Sequence, residues 1–540
     1  MHDVWVQDDF PLTLRHVMER MRGMYGDAEV VTQREDGRTR ISGADLGARI
    51  DRLAGALRTL GVQPGDRVAT FAFNTQEHLE LYHAVPCSGA VLHMVNIRLF
   101  DEDLEYIFGH AEDRVLFVDA ILADRIAPLM DRLPTLRSVV VIGGDAAGTG
   151  IPGAIGYEEL LAAHEPRFAY PDLDDRSAAG LCYTSGTTGR PKGVVYTHRS
   201  QTLHALAACA ADTLGVSSRD RILPLVPMFH ANAWGLPYAA AMTGAELVLP
   251  GPHTQPAALA AMLEEERVTI AAGVPTVWMD LLRHLDAHGG DLSRLRTMLC
   301  GGAAVPLALM QAFQERHGVR VFQSWGMTET GPLASVARPP RDDSEWSYRD
   351  TAGRVAPLVE VRVVADDGAV LPHDGEATGE VQIRGPWIAA GYYRDPAPGS
   401  FDGGWLRTGD IAAVDPRGYV RISDRAKDVI KSGGEWISSV ALENELVAHP
   451  DVVEAAVIAK PDERWTERPL ACVVLAPGST CTADDLQAHL AGRVAKWWLP
   501  DEVAFIDAVP KTGTGKYDKK VLRARLADGS LGRRVTVGPA

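Results

Sequence analysis

Tyr183-Thr184-Ser185-Gly186-Thr187-Thr188-Gly189-Arg190-Pro191-Lys192-Gly193 decides how the rest of this sequence is read. An apolar run leads into it, and its eleven residues hold three glycines, four Ser/Thr hydroxyls and a lysine. Glycines let backbone N–H groups approach an anion closely, hydroxyls add donors, and lysine adds a point charge. A polyphosphate needs that combination. The stretch is not a Walker A loop, because no G-x-x-x-x-G-K-[ST] spacing runs through it. On composition alone it would equally serve as a flexible surface loop, so the remainder of the chain has to decide.

That remainder is globular in composition. The chain has 540 residues, 46% apolar and 23% charged, which excludes disorder, collagen and coiled coil and suits two to four lobes. A formal charge of −17 argues against a general nucleic-acid or anionic-membrane binder. Cys87, Cys182, Cys209, Cys300, Cys472 and Cys481 form no CxxC pair and have no histidine at zinc-finger spacing. The start, Met1 to Asp9, lacks a basic segment followed by an apolar one. The longest apolar stretch, Trp234 to Pro250, is interrupted by Glu246 and two prolines and cannot span a bilayer as a helix. The expectation is a reduced, cytoplasmic protein with no integral membrane contact.

The first lobe alternates helix and strand. Leu46, Ile50, Leu53, Leu57 and Leu60 recur at helical spacing, with Gly61 placed as a C-cap. Val68–Phe73, Val115–Val118, Val139–Ile142, Leu247–Leu249 and Val268–Ala272 are continuous apolar runs between helical segments, which predicts a parallel sheet covered on both faces. Near residue 350 the texture changes. Val359–Val364, Gly379–Arg384 and Tyr419–Ile422 are separated by polar turns and predict a small antiparallel β unit. Beyond a polar, glycine-containing segment, a compact α+β pattern runs to about residue 527. The boundary falls at 424–430.

The order YTSGTTGRPKG resembles the phosphate loop of the adenylate-forming superfamily, which includes acyl-CoA synthetases, luciferases and peptide-synthetase adenylation domains. Six further motifs stand in the family's order. They are Pro227-Met228-Phe229-His230, Gly301-Gly302-Ala303-Ala304, Trp325-Gly326-Met327-Thr328-Glu329-Thr330, Arg407-Thr408-Gly409-Asp410, Asp424-Arg425-Ala426-Lys427-Asp428 and Pro510-Lys511-Thr512-Gly513-Thr514-Gly515-Lys516. The resemblance implies an α/β protein. Its large N-terminal domain (1–423) would comprise two αβαβα-type layered subdomains and a small β-barrel at about 350–423. A hinge (424–430) and a small mobile α+β C-terminal domain (431–540) would follow.

The resemblance also implies roles for single residues. Thr184, Ser185, Gly186, Thr187, Thr188, Gly189 and Lys192 would cradle the ATP phosphates. Glu329 and Thr184 would hold Mg²⁺, a hard cation suited to oxygen ligands. Asp410 would bind both ribose hydroxyls, since a carboxylate accepts two hydrogen bonds. Arg425 assists there, Gly302, Gln323, Ser324 and Thr328 wall the adenine and α-phosphate, and Lys427 and Lys431 also face the nucleotide side, Lys427 as the hinge. Lys516 would bridge the substrate carboxylate and the α-phosphate, where a cation offsets repulsion between two anions. His230 would position substrate. The family implies a C-terminal domain that rotates between two half-reactions, and homodimerisation.

Lys431-Ser432-Gly433-Gly434-Glu435-Trp436 and the segment from Met228 to Tyr238 are similar to medium- and long-chain fatty acyl-CoA synthetases. Ala231 and Trp234 would border the acyl group, and Gly433, Gly434 and Trp436 the pantetheine of CoA. The expected function is therefore ATP-dependent activation of a medium- or long-chain fatty acid and its transfer to CoA. The alternative is the same chemistry on a short, sulfur-containing or aryl acid, or nitrite, or with another acceptor. Trp325 and Ser324 depart from the common family pattern and border the nucleotide or acyl head group.

Overall fold

The computed structural model describes residues 7, 9–184, 190–342, 345–432, 435–511 and 517–537, with backbone alone for Glu435 and Trp436. Its apolar runs become strands much as patterned. Arg67–Phe71, Val91–Met94, Val115–Asp119, Ser138–Ile142 and Ala178–Tyr183 are parallel members of a seven-stranded sheet, closed by antiparallel Gly193–Thr197. Every residue of Val115–Asp119 is buried, as a strand covered on both faces requires. The helix predicted from leucine spacing spans Gly43–Thr59 and buries Leu46, Ile50, Leu53 and Leu57. It starts where the Ser42 hydroxyl accepts the Asp45 N–H at 3.1 Å, and Gly61 follows with a φ of 80°.

A second, longer sheet holds the other half of the large domain. Arg221–Pro224, Ile270–Gly273, Thr297–Gly301 and Arg320–Trp325 run parallel, and their C-terminal ends open on one edge. In parallel α/β sheets that edge is where ligands bind. The β unit expected after residue 350 does form, from Gly353–Val355, Glu360–Val364, Gly379–Arg384, Trp405–Val414 and Tyr419–Arg425. It is not a separate barrel in its hydrogen bonding. Ser335–Val336 pairs with both Arg320–Trp325 and Gly353–Val355, so the antiparallel strands continue the parallel sheet.

A third sheet takes in Ile430–Ser432, Glu435–Ile437, Val452–Asp462, Thr466–Leu475 and Glu502–Phe505. It extends past the expected end near residue 527, because Arg533–Thr536 pairs antiparallel with Glu502–Phe505. Asp424 and Arg425, the first residues of the expected hinge, still belong to the ladder with Trp405–Val414. Among the described residues no helix is long and apolar enough to cross a membrane.

The interior holds several neutral histidines. His83 is buried with neither ring nitrogen hydrogen-bonded among the described residues, edge-on to Tyr238 at 5.7 Å between ring centres. Burial lowers its pKa to about 4, below the roughly 6.5 of an unfolded chain. A depressed histidine contributes stability that is complete above the unfolded value and is lost progressively as pH falls from the unfolded value to the folded one. Between pH 7 and pH 5 the wild type is therefore expected to lose about 2 kcal/mol more unfolding free energy than His83→Phe. Urea titrations of both proteins at the two pH values check this, and parallel losses would refute it.

Candidate active site

The edge formed by the C-terminal ends of the parallel strands gathers most of the motif residues. Gly301 closes the strand Thr297–Gly301 opposite Ser324, so Gly302, Gln323 and Ser324 lie side by side. The Gln323 side-chain oxygen accepts the Val305 N–H at 2.8 Å, which holds the loop after Gly302 against the next strand. Thr328–Thr330 is a short 3₁₀ turn just beyond, with Thr328 and Glu329 buried. Tyr196, on the strand after the glycine-rich loop, donates its hydroxyl to the Thr328 carbonyl at 2.8 Å.

Asp410 is 2% exposed and sits opposite Arg425 across two antiparallel strands. The Arg425 guanidinium pairs with its Oδ1 at 2.7 Å, and the Trp325 indole N–H donates to its Oδ2 at 2.9 Å. In the sequence Trp325 stands out only as a departure from the common family pattern. The indole donor reaching a buried carboxylate is the structural content of that departure.

Glu329 has a partner that nothing in the sequence singled out. Tyr392 donates its hydroxyl to Glu329 Oε1 at 2.6 Å, and burial together with the Glu329 charge pushes the phenol pKa up, so it stays a donor. The Lys192 ammonium lies 4.8 Å from the centre of the same ring, a cation–π contact. Tyr392 thus joins the lysine of the glycine-rich loop to the acidic residue. The two ends of that loop are tied directly, since Thr184 N–H donates to the Lys192 carbonyl at 2.9 Å and Lys192 N–H donates to Thr184 Oγ1 at 3.1 Å. The segment 389–393 clamps both sides, through Ala389 N–H to the Glu329 carbonyl at 2.7 Å and Tyr393 N–H to the Gly193 carbonyl at 2.8 Å.

Trp234 stands on an unusual turn. Ala231, Asn232, Ala233 and Trp234 have φ of 44°, 55°, 44° and 56°, and Gly235 follows at 70°. Left-handed backbone costs an L-residue roughly 1–2 kcal/mol, so this run is maintained by its surroundings. One tie is the Asn232 amide donating to Gln201 Oε1. The turn lays the indole against Gly301, where a Cβ would come within 3.0 Å of the ring. Only glycine admits that approach. His230 begins the turn, half-buried, with its N–H on the Pro227 carbonyl at 3.1 Å, and Ala231 is buried beside it.

Lys427 and Lys431 are exposed, and the Lys431 N–H donates to Glu467 at 2.8 Å. Ser185, Gly186, Thr187, Thr188, Gly189, Gly433, Gly434 and Lys516, and the Trp436 side chain, lie outside the described residues.

The two tied ends of the glycine-rich segment, the Arg425-paired carboxylate of Asp410 and the buried Glu329 at one sheet edge suit a nucleotide. Residues 18–393 match the family of AMP-binding enzymes, and residues 441–516 match the AMP-binding enzyme C-terminal domain. The chain belongs to the AMP-binding enzyme family. It is 42% identical over 531 residues to a 3-methylmercaptopropionyl-CoA ligase of Ruegeria lacuscaerulensis, covering 97% of this chain and 98% of that protein. It is 46% identical over 526 residues to a long-chain-fatty-acid–CoA ligase of Thermus thermophilus, covering 95% and 96%. Its fold superposes on the anthranilate CoA ligase AuaEII in complex with anthranoyl-AMP with a TM-score of 0.88 and 28% identity, covering 96% and 99%. This AMP-binding enzyme is an AMP-forming acyl-CoA ligase that takes ATP and CoA as substrates.

Loss of a hydrogen bond to a charged group costs about 1.5–3 kcal/mol. Trp325→Phe keeps the ring and removes the donor to Asp410, so a stability loss of that size is expected in urea unfolding. A variant as stable as the wild type would show that the indole donor is not needed to hold the carboxylate.

Proposed function

We propose that this acyl-CoA ligase activates an unbranched aliphatic acid whose chain extends past Trp234. The supporting observation is the indole pressed on Gly301 from a strained turn, because strain of this kind collects at functional positions. An apolar plate beside the motif residues suits an alkyl chain better than an inorganic anion. 3-Methylmercaptopropionic acid is such a chain with a thioether replacing a methylene. A Trp234 closed on Gly301 favours this short end of the range. Medium- or long-chain fatty acids are the second reading, favoured by the half-exposed position of the ring, which leaves room for it to swing aside.

In the first half-reaction the carboxylate attacks the α-phosphorus of ATP, the α–β bond breaks and pyrophosphate leaves. The nucleophile is already ionised, so no general base is needed. The thiol of CoA then attacks the acyl carbon and AMP departs. In this reading Asp410, oriented by Arg425 and Trp325, holds the ribose, and Lys192 faces the phosphates. Gly302, Gln323, Ser324 and Thr328 line the nucleotide, while His230 and Ala231 border the acyl group. Lys516 brings the two anions together, and Lys427 is the pivot on which the C-terminal domain turns between steps. The all-oxygen donor set of Glu329 and Thr184 fits Mg²⁺, which when bound neutralises phosphate charge.

Each added methylene entering an apolar tunnel contributes roughly 0.8 kcal/mol, about fourfold in affinity. ATP–pyrophosphate exchange across acids of two to sixteen carbons (roughly the range over which that increment accumulates), plus 3-methylmercaptopropionic acid, should therefore climb and then level off. Trp234→Ala should move the plateau to longer chains and leave the ATP KM within about twofold, as expected of a site that does not touch the nucleotide. An aryl acid or nitrite preferred over every aliphatic acid would defeat the reading.

Lys516→Ala should abolish pyrophosphate exchange yet spare CoA transfer from supplied acyl-AMP. Equal losses in both assays would count against domain alternation.

A further inference from the structure

Lys511, Lys516, Lys519, Lys520, Arg523 and Arg525 form a basic cluster of the kind read from sequence as a solvated helix face. Lys519 departs from that reading. Its side chain is 11% exposed, and its ammonium pairs with Glu443 Oε1 at 2.7 Å and donates to Ser439 Oγ at 2.5 Å. Ser439 passes the contact on, donating from Oγ at 2.6 Å and from its backbone N–H at 2.7 Å to Asp424 Oδ2. Burial disfavours the Lys519 charge, but Glu443 and Asp424 outweigh it and raise the ammonium pKa. One cation thus serves two buried carboxylates.

Chain connectivity gives this cluster a direction. Asp424 is fixed in the strand Tyr419–Arg425, paired opposite Ile411. Ser439 and Glu443 lie on the helix Ser439–Val447, and Lys519 opens the helix Lys519–Asp528. These two helices pack on the third sheet, and Lys427 lies between them and Asp424 in the chain. A rotation about Lys427 carries Ser439, Glu443 and Lys519 together and leaves Asp424 behind. The Lys519–Glu443 pair survives that motion, as does the Arg523–Asp428 pair at 2.9 Å. The two Ser439 bonds to Asp424 do not.

We propose that Ser439 and Lys519 are positioning residues that latch the C-terminal domain to Asp424 in one of its two working arrangements. The latch must open for the other half-reaction. This rests on the domain alternation described under Proposed function. Ser439 supplies both donors to Asp424 Oδ2, while the Arg425 N–H donates to Oδ1 at 2.7 Å, and Lys519 holds the Ser439 hydroxyl so that its proton points at the carboxylate.

The test uses the full-length protein with Asp424→Asn, Ser439→Ala and Lys519→Met. Pyrophosphate exchange and CoA transfer from supplied acyl-AMP are measured for each, together with tryptic cleavage after Lys427. The ratio of the two half-reaction rates is expected to move at least tenfold, in the same direction for all three variants. Cleavage should accelerate in each, and Lys519→Arg should restore most of the ratio. Equal falls in both half-reactions, or an unmoved ratio in the mild Ser439→Ala variant, would overturn the latch. If the wild type shows neither half-reaction, the functional reading fails, and cleavage then judges the latch alone, with an unchanged rate in Ser439→Ala overturning it.

Discussion

A buried carboxylate needs partners, and Asp410 obtains its two named ones from different parts of the fold. Arg425 reaches it across the antiparallel ladder, and Trp325 reaches it from the end of the parallel sheet. Leaving a buried charge uncompensated costs several kcal/mol, so these three residues hold their segments in register. The antiparallel β unit is thereby fixed to the edge where the parallel strands end. The site depends on that junction, because its carboxylate comes from one side and Gly302, Gln323 and Ser324 from the other.

A second tie works across the same opening. Glu329, in a short turn after the parallel strand, is held by Tyr392, and Tyr392 also receives Lys192 on its ring. The glycine-rich loop is bound at its root by paired backbone bonds between Thr184 and Lys192. Loop ends are thus rigid, with charge opposite charge, as preorganised anion sites require. The left-handed turn at 231–235 adds backbone strain nearby, held by the packing of Trp234 on Gly301.

The C-terminal body shows the same economy of charge. Asp424, Arg425 and Asp428 of one five-residue motif point to three different partners, which are Ser439, Asp410 and Arg523. One short segment thus touches the Asp410 side and the C-terminal helices at once.

Local patterning determined a good deal of this protein. Continuous apolar runs such as Val115–Val118 and Val139–Ile142 read as covered parallel strands because burial on both faces leaves no polar alternation. Seven ordered motifs named the family, since glycine and hydroxyl spacing around a phosphate is a short-range property of the chain. What the sequence could not carry is pairing across long separations. Tyr392 is 63 residues from Glu329, Trp325 is 85 from Asp410, and Lys519 is 80 from Ser439. A lysine in a basic run looks solvated until folding places two carboxylates beside it, and an indole looks like core until its N–H finds a buried acid. Those assignments belong to the tertiary structure, because burial and charge partners exist only once distant segments meet.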